Sequence, residues 1–242
     1  MTDQTTARAI AAVLQERFGE DFTIDPETPG LPALAALAGH RSHRRFLPRP
    51  VAPELLRLLC ACALSAPSKS DLQQCDIVVV SDARIRKTIV DTIPDMPWIM
   101  DAPAFLMFVG NGARLPLMAQ LRAKPFPNDH LDQFFNAAVD AAIVLASFMR
   151  AAAAVGLGTC PISAVRDHPR IVSDALRLPQ RTFPVAGLCA GWPAEAGGIT
   201  PRLSLATTVV ENAYEALSWP FSLALPLMIP SYVPLPEYDE WF

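Results

Sequence analysis

His40-Arg41-Ser42-His43-Arg44-Arg45-Phe46 is the stretch from which the fold can be worked out, and it stands shortly before a predicted helix that begins at Pro53. Its cationic side chains and hydroxyl are close enough in sequence to converge on one phosphate, which arginine can bind through two parallel hydrogen bonds. A second segment with a basic residue, Thr200-Pro201-Arg202, lies far along the chain. A fold that closes both segments on one phosphate would build an anion site from distant parts of the chain.

The composition favours one folded core. The chain has 242 residues and is 51% hydrophobic, which is enough for one sizeable core, and no linker divides it. Charged residues make up 18% and the net charge is -4, which argues against nucleic acid as a partner despite a local basic patch at 41–49. The low charge and the many apolar residues also predict that surface is buried between subunits.

The sequence predicts a cytoplasmic protein with no membrane partner and no metal. Its N-terminus lacks a basic region followed by an apolar core, and Asp140 and Arg150 interrupt the long apolar stretch 137–157. The five cysteines lack framework spacing, which favours buried thiols in a reducing compartment over disulfides or a zinc site. We expect His43, His130 and His168 to be structural or surface residues.

Hydrophobic periodicity predicts alternating helices and strands and therefore an α/β or α+β sandwich with a mixed sheet. The predicted helices cover 5–18, 33–39, a segment from Pro53, 83–91, 131–155 and 168–176. The predicted strands cover 77–80, 104–109, 159–162 and 183–190, and the runs 77–80 and 104–109 are apolar enough to be central.

Two segments predict a partner subunit. The helix 131–155 is apolar nearly all round, so we expect it to be buried in a core or between protomers. The tail from Trp219 is too rich in proline to be helical but contains many apolar residues, so it needs a surface to lie on.

Several short motifs occur in order along the chain. They are Gly39-His40-Arg41-Ser42, Leu72-Gln73, Leu178-Pro179-Gln180, Phe183-Pro184, Gly187-Leu188-Cys189-Ala190-Gly191-Trp192-Pro193, Pro201-Arg202-Leu203 and Glu211-Asn212-Ala213-Tyr214. Together they resemble the FMN-dependent nitroreductase superfamily, and most closely its oxygen-insensitive NADPH nitroreductase and flavin reductase subgroup. The resemblance implies an α+β homodimer with a mixed central sheet flanked by helices and two FMN sites at the interface. The resemblance covers 39–217, which we expect to form the FMN-binding domain after an N-terminal helical extension (1–38). From its composition, we expect the proline-rich tail (218–242) to pack on the partner subunit.

By this resemblance, His40, Ser42 and Arg202 hold the flavin phosphate and Arg41 lies beside them. Arg44 would lie near the N1/O2 edge of the ring, where a fixed cation stabilises the negative charge that reduction leaves there. The alternative to a cofactor site is that Arg41, Arg44 and Arg45 simply form a basic loop exposed to solvent. The motif that contains Arg202 favours the cofactor site over this alternative.

Three further segments complete the implied cofactor site. The partner subunit would contribute Ser68, Ser70 and Asp71, although Ser, Pro and Asp are also ordinary turn residues. The other two segments are Met96, Pro97 and Trp98 over the ribityl and pyrimidine region, and Pro161, Ile162, Ser163 and Ala164, which present backbone N–H groups. Trp98 could equally be a core residue.

Two departures from the subgroup bear on affinity and on the electron donor. Thr200 stands where the subgroup has a lysine, so one phosphate cation is replaced by a hydroxyl. No Lys or Arg follows Arg202, whereas a 2′-phosphate on NADPH calls for a cation. The sequence contains no G-x-G-x-x-G motif, so it does not indicate a Rossmann nicotinamide site.

The resulting hypothesis is an FMN-dependent oxidoreductase that passes electrons from NADH or NADPH to a nitroaromatic, quinone or flavin acceptor in a ping-pong cycle. The reactive centre would be the flavin N5, and no side chain is an obvious acid. One alternative is a flavin-binding protein without sustained turnover, either a flavin carrier or a protein that consumes its own flavin. Another is a structural homodimer that has lost the cofactor, for which Thr200 is the only indication.

Overall fold

The structure is a computed structural model and describes residues 3–213. Its helices and strands are, in chain order, α1 (Asp3–Phe18), α2 (Leu31–Ala38), α3 (Pro53–Leu64), β1 (Cys75–Val79), α4 (Ala83–Val90), β2 (Ala104–Asn111), α5 (Arg114–Leu121), α6 (Leu131–Ala154), β3 (Gly158–Ile162), α7 (Pro169–Leu176), β4 (Thr182–Gly191) and α8 (Leu205–Thr208). Short 3₁₀ helices cover Lys69–Asp71, Pro97–Asp101 and Ala164–Arg166. The predicted α+β class is confirmed.

The described chain forms two compact units. The smaller contains residues 3–39 and 199–213, and the larger contains residues 40–198. In the smaller unit, α1 and α2 pack through Ala7, Ile10 and Leu31. The predicted tail, 218–242, lies outside the described residues.

The larger unit is built on a four-stranded sheet with the order β1-β2-β4-β3. Each neighbouring pair of strands is antiparallel. The connection through α5 and α6 returns β3 in the same direction as β2, and β4 enters between them, antiparallel to both. Within residues 3–213, parallel pairing is limited to one bridge, between Ser42 and Thr159, so the expected mixed sheet is antiparallel in its four strands.

The prediction that both apolar runs are central strands holds for one of them. β2 lies inside the sheet with seven of its residues buried, whereas β1 lies at an edge and Val79 is 45% exposed. Ile77 packs on the core cluster that contains Phe108 and Phe148, and Val78 packs on the opposite cluster, around Phe105. Because helices cover both faces of the sheet, an edge strand needs apolar residues on both faces too, so its composition does not reveal its position.

The long helix α6 buries one face and exposes another. Ala137, Ala141 and Phe148 face the core, while Leu131 and Phe135 are 60% and 62% exposed. By length and hydropathy alone, α6 could cross a membrane, and the sequence expectation of no such helix does not hold on that criterion. A helix that packs in a protein core meets the same criterion, and α6 packs against the sheet and α3.

Candidate functional site

The basic segment His40–Phe46 runs beside β3, at the edge of the sheet. Ser42 forms a parallel bridge with Thr159, and the backbone N–H of His43 donates to the Thr159 carbonyl at 2.9 Å. β3 pairs with β4 on its other side, so the bridge uses backbone groups that the sheet leaves open. The first predicted segment is thereby fixed to the sheet through its backbone.

The far end of the same segment is fixed to the end of β4. Phe46 forms an antiparallel bridge with Pro193, and the backbone N–H of Leu47 donates to the Trp192 carbonyl at 2.8 Å. The guanidinium of Arg49 lies 3.9 Å from the centre of the Trp192 ring. These contacts explain the Gly-Trp-Pro motif structurally, because it receives the chain that leaves the basic segment.

Glycine at position 158 allows the basic segment to approach β3 closely. A Cβ added there would lie 2.7 Å from Cγ of His43, closer than side chains tolerate. His43 is therefore a packed residue, as expected. Its Nδ1 is buried and has no hydrogen-bond partner within residues 3–213.

Arg44 is exposed, and its charge acts on the neighbouring strand. Burial raises the pKa of the Cys160 thiol, and the positive charge of Arg44 opposes that rise. The guanidinium of Arg44 is therefore close enough to β3 to act on the Cys160 thiol.

Two further predicted segments surround the same part of the larger unit. Met96, Trp98 and Ala164 pack against the cluster of buried residues that includes Cys160 and Ile162. The structure thus brings 40–46 and 161–164 together at β3, while Met96 and Trp98 pack on the same cluster of buried residues as Ile162 and Phe46. Pro161, Ser163 and Pro97 are exposed there, and Trp98 is half-buried, so it contributes to the core without being enclosed by it.

The segment Ser68–Asp71 lies elsewhere, next to β1 at the opposite edge of the sheet. It borders a cavity of about 570 Å³. Residues lining this cavity include Ser68, Asp71, Gln73, Asp76, Arg114 and Asp140. β1 and β3 are separated by two strands, roughly 14 Å at the usual strand spacing. Within one chain, this segment and the basic segment belong to different ends of the sheet.

Asp140 and Arg114 hold the 69–74 turn, and sequence reasoning gave neither a role in the site. Asp140 is 1% exposed and accepts hydrogen bonds from two backbone N–H groups of this turn. Arg114 donates to the Gln73 carbonyl and to Asp76, which lies 2.5 Å away. The sequence feature that could have indicated the role of Asp140 is its position in the middle of the apolar helix α6. A carboxylate is costly to bury there unless it is hydrogen-bonded.

Thr200 and Arg202 belong to the smaller unit. The Nη1 of Arg202 donates to Oγ1 of Thr200 at 2.7 Å and to the Thr200 carbonyl at 3.3 Å. Thr200, which replaces the cation expected from the resemblance, therefore holds the neighbouring arginine. Both side chains are exposed.

The remaining histidines have structural positions. Nδ1 of His130 accepts the backbone N–H of Asp132 at 3.3 Å, so it caps α6. His168 stands at the N-terminus of α7. In the part of the chain that the structure describes, no cluster of His, Cys, Asp and Glu has the composition of a metal site.

The residues beside β3 suit an anionic cofactor. Within one short segment they offer a hydroxyl and several cations, none of them fully buried. Such donors bind phosphate by charge-assisted hydrogen bonds. The buried, unpaired Nδ1 of His43 adds a polar atom that a bound polar group could satisfy.

The amino-acid sequence is similar to those of known flavin enzymes. The model of the Nitroreductase family matches residues 37–192. The FMN reductase [NAD(P)H] of Bacillus subtilis is 37% identical over 172 residues, which are 70% of this chain and 69% of the relative. The oxygen-insensitive NADPH nitroreductase of Salmonella typhimurium is 32% identical over 187 residues, covering 77% of this chain and 76% of the relative.

Solved structures agree with the fold. NfrA2 of B. megaterium superimposes with a TM-score of 0.73 at 34% identity, covering 76% of this chain and 75% of that one. The NADPH:FMN oxidoreductase of Vibrio harveyi, solved with NAD⁺, superimposes with a TM-score of 0.70 at 28% identity, covering 76% and 79%.

Proposed function

The chain belongs to the nitroreductase family, and on that premise we propose that it is an FMN-dependent oxidoreductase that takes electrons from NAD(P)H. It would pass them to a nitroaromatic, quinone or flavin acceptor in a ping-pong cycle. The observation that supports the proposal is the bridge that holds the basic segment 40–46 on β3, the strand that leads into 161–164. Relatives in sequence are named as an FMN reductase and an oxygen-insensitive NADPH nitroreductase.

The phosphate end of the cofactor would be held by His40, Ser42 and Arg202, with Arg41 beside them. The hydroxyl and guanidinium groups would donate hydrogen bonds to the phosphate oxygens. The positive charges of Arg41 and Arg202 would offset most of the phosphate's negative charge. Thr200 supports this arrangement by orienting Arg202 through its hydroxyl.

Arg44 would tune the cofactor rather than anchor it. Bound FMN supplies the two-electron chemistry, and the protein supplies orientation and charge. The effect of Arg44 on Cys160 supports a location next to β3, the strand that leads into the segment 161–164. A fixed cation there would stabilise negative charge without needing to transfer a proton.

A homodimer would complete the site. Ser68, Ser70 and Asp71 lie at the β1 edge, away from the basic segment of their own chain. They can join a flavin site only if a second copy brings its β1 edge to β3. The exposed apolar residues of α5 and α6, including Leu117, Leu121, Leu131 and Phe135, support such an interface.

The proposal includes a cytoplasmic location and small molecules as the substrates, with neither nucleic acid nor membrane as a partner. The five cysteines are all free thiols, as suits a reducing compartment. The net charge of -4 disfavours binding to nucleic acid.

Purification and a donor assay test this function. The protein should purify yellow with one FMN per protomer, oxidise NADH or NADPH, and reduce a quinone or nitroaromatic acceptor over many turnovers. A colourless protein that does not quench the fluorescence of added FMN would overturn the assignment. Tight FMN binding without sustained oxidation of NAD(P)H would favour a flavin carrier or a protein that consumes its flavin.

A further inference from the structure

Arg17, in the last turn of α1, links two segments that are distant in sequence. Its Nε donates to the carbonyl of Ala38 at 3.0 Å, and its Nη1 donates to the carbonyl of Thr200 at 3.2 Å. Only 7% of Arg17 is exposed. A buried guanidinium is costly unless it is hydrogen-bonded, so these carbonyls are partners it depends on.

The backbone strengthens the same link. The N–H of Arg202 donates to the carbonyl of Arg17 at 2.6 Å, and the N–H of Leu205 donates to Oε1 of Glu20 at 2.9 Å. The end of α1 therefore holds the chain from Thr200 to Leu205 at several points. All of these contacts lie within the smaller unit.

Each of the two linked segments lies just before a proposed phosphate ligand in the sequence. Ala38 stands two residues before His40, and Thr200 stands two residues before Arg202. Thr200 in turn accepts a hydrogen bond from Arg202 at 2.7 Å. A continuous path of hydrogen bonds thus runs from Arg17 through Thr200 to the guanidinium that would bind the phosphate.

We propose that Arg17 is a positioning residue for the flavin phosphate, because its guanidinium holds the Thr200–Arg202 segment and the residues that lead into His40. The inference rests on the proposed function and extends it to a helix outside the part that matches the family, residues 37–192. It gives the N-terminal helix α1 a role in cofactor binding and explains how a chain with Thr200 in place of a cation keeps Arg202 oriented.

A comparison of two flavins isolates this role. FMN and riboflavin share the same ring and ribityl chain, and only FMN carries the phosphate. The dissociation constants of both are measured by fluorescence quenching on flavin-free protein for the wild type, Arg17→Ala, Arg202→Ala and the double variant. Arg8→Ala, an exposed arginine on the same helix, is the matched control.

Arg17→Ala should weaken FMN binding by about tenfold and leave riboflavin binding within twofold. The double variant should be little weaker than Arg202→Ala, because both act on one phosphate contact. Arg8→Ala should bind both flavins as the wild type does.

Equal losses for FMN and riboflavin, or fully additive losses in the double variant, would overturn the positioning role. A wild type that binds neither flavin would instead overturn the proposed function. If Arg17→Ala does not fold, Arg17→Lys serves the same comparison: it keeps the charge but lacks the planar fork that reaches both carbonyls. Unchanged selectivity for FMN over riboflavin in that variant would count against the proposal.

Discussion

The carboxylate of Asp140, on the buried face of α6, accepts a hydrogen bond from the backbone N–H of Lys69 at 3.0 Å. Its other oxygen accepts the backbone N–H of Gln74 at 2.9 Å, so one side chain holds both ends of a turn. Three residues of that turn have positive φ angles: Ser70, Asp71 and Gln73. Non-glycine residues pay a conformational cost there, so the turn depends on an external anchor.

We expect Asp140→Asn to destabilise the fold and loosen this turn. An amide has one acceptor oxygen, so one of the two backbone N–H groups would face an NH₂ group instead. The free energy of unfolding in urea should fall by about 2–3 kcal/mol. Asp132→Asn, at an exposed carboxylate in the first turn of the same helix that accepts from Asn136 at 2.8 Å, should change it by less than about 1 kcal/mol. Equal effects of the two variants would show that the two hydrogen bonds do not anchor the turn.

The exposed apolar face of α6 predicts how the proposed dimer can be separated. Phe135 is 62% exposed, and a charge at this position would have to be desolvated in an interface. Phe135→Glu should therefore shift the protein to a monomer in light scattering and lower its flavin content. Ile171→Glu, at an exposed apolar position on α7, should remain dimeric and yellow. A dimeric Phe135→Glu variant would place the interface elsewhere.

Most elements of the fold could be predicted from the sequence because local signals mark them. Pro53 and Pro169 start helices, and the apolar runs around Phe105 and Leu188 form inner strands. α5 was not predicted. It contains Pro116 in its first turn and begins where the side chain of Asn111 accepts the backbone N–H groups of Ala113 and Arg114, a local polar cap that hydrophobic periodicity does not detect.

The candidate site was predictable only in part. The arginine and serine motifs predict a phosphate site at 40–46, since cation and hydroxyl chemistry is visible in sequence. The anchors that hold the site segments were not predictable, because Arg17 and Asp140 act through backbone groups of residues distant in sequence. Such contacts impose no pattern on neighbouring residues. The edge position of β1 was missed for a related reason, since strand order is a property of the whole sheet.

Buried thiols predict a loss of stability at alkaline pH. Burial raises the pKa of Cys189 well above the ordinary 9.0 and that of Cys75 to about 12. Above pH ~9 the unfolded chain releases thiol protons that the folded chain keeps, so stability falls as pH rises. Cys189→Ala should reduce this slope by about 1.4 kcal/mol per pH unit in urea unfolding at pH 9–11. Cys62→Ala, at an exposed thiol, should leave the slope unchanged.

Arg202→Ala and Arg44→Ala should impair the protein in different ways. Arg202 would hold the phosphate, so its loss should weaken FMN binding by about 1.5–3 kcal/mol. Arg44 would stabilise the reduced cofactor, so its loss should lower the midpoint potential with a smaller change in affinity. Arg45→Ala is the control from the same segment, because Arg45 is exposed and lies 3.8 Å from Glu195. Equal changes in affinity and potential for Arg202→Ala and Arg44→Ala would refute this division of roles.

The expected preference between NADH and NADPH depends on which cations could pair with a 2′-phosphate. No Lys or Arg occurs after Arg202 to pair with the 2′-phosphate of NADPH. Elsewhere, Arg114 is paired with Asp76, and Arg49 lies over Trp192. A missing charged contact is worth roughly 1.5–3 kcal/mol, or about one to two decades in preference.

We therefore expect kcat/KM for NADH to equal or exceed that for NADPH at the same ionic strength. This outcome would distinguish the chain from the Salmonella typhimurium relative, whose name specifies NADPH. Arg122→Ala and Lys124→Ala test the exposed cations that follow α5, and neither should change the ratio of the two donors. A tenfold advantage for NADPH that either variant abolishes would locate a phosphate-binding cation there and reverse the prediction.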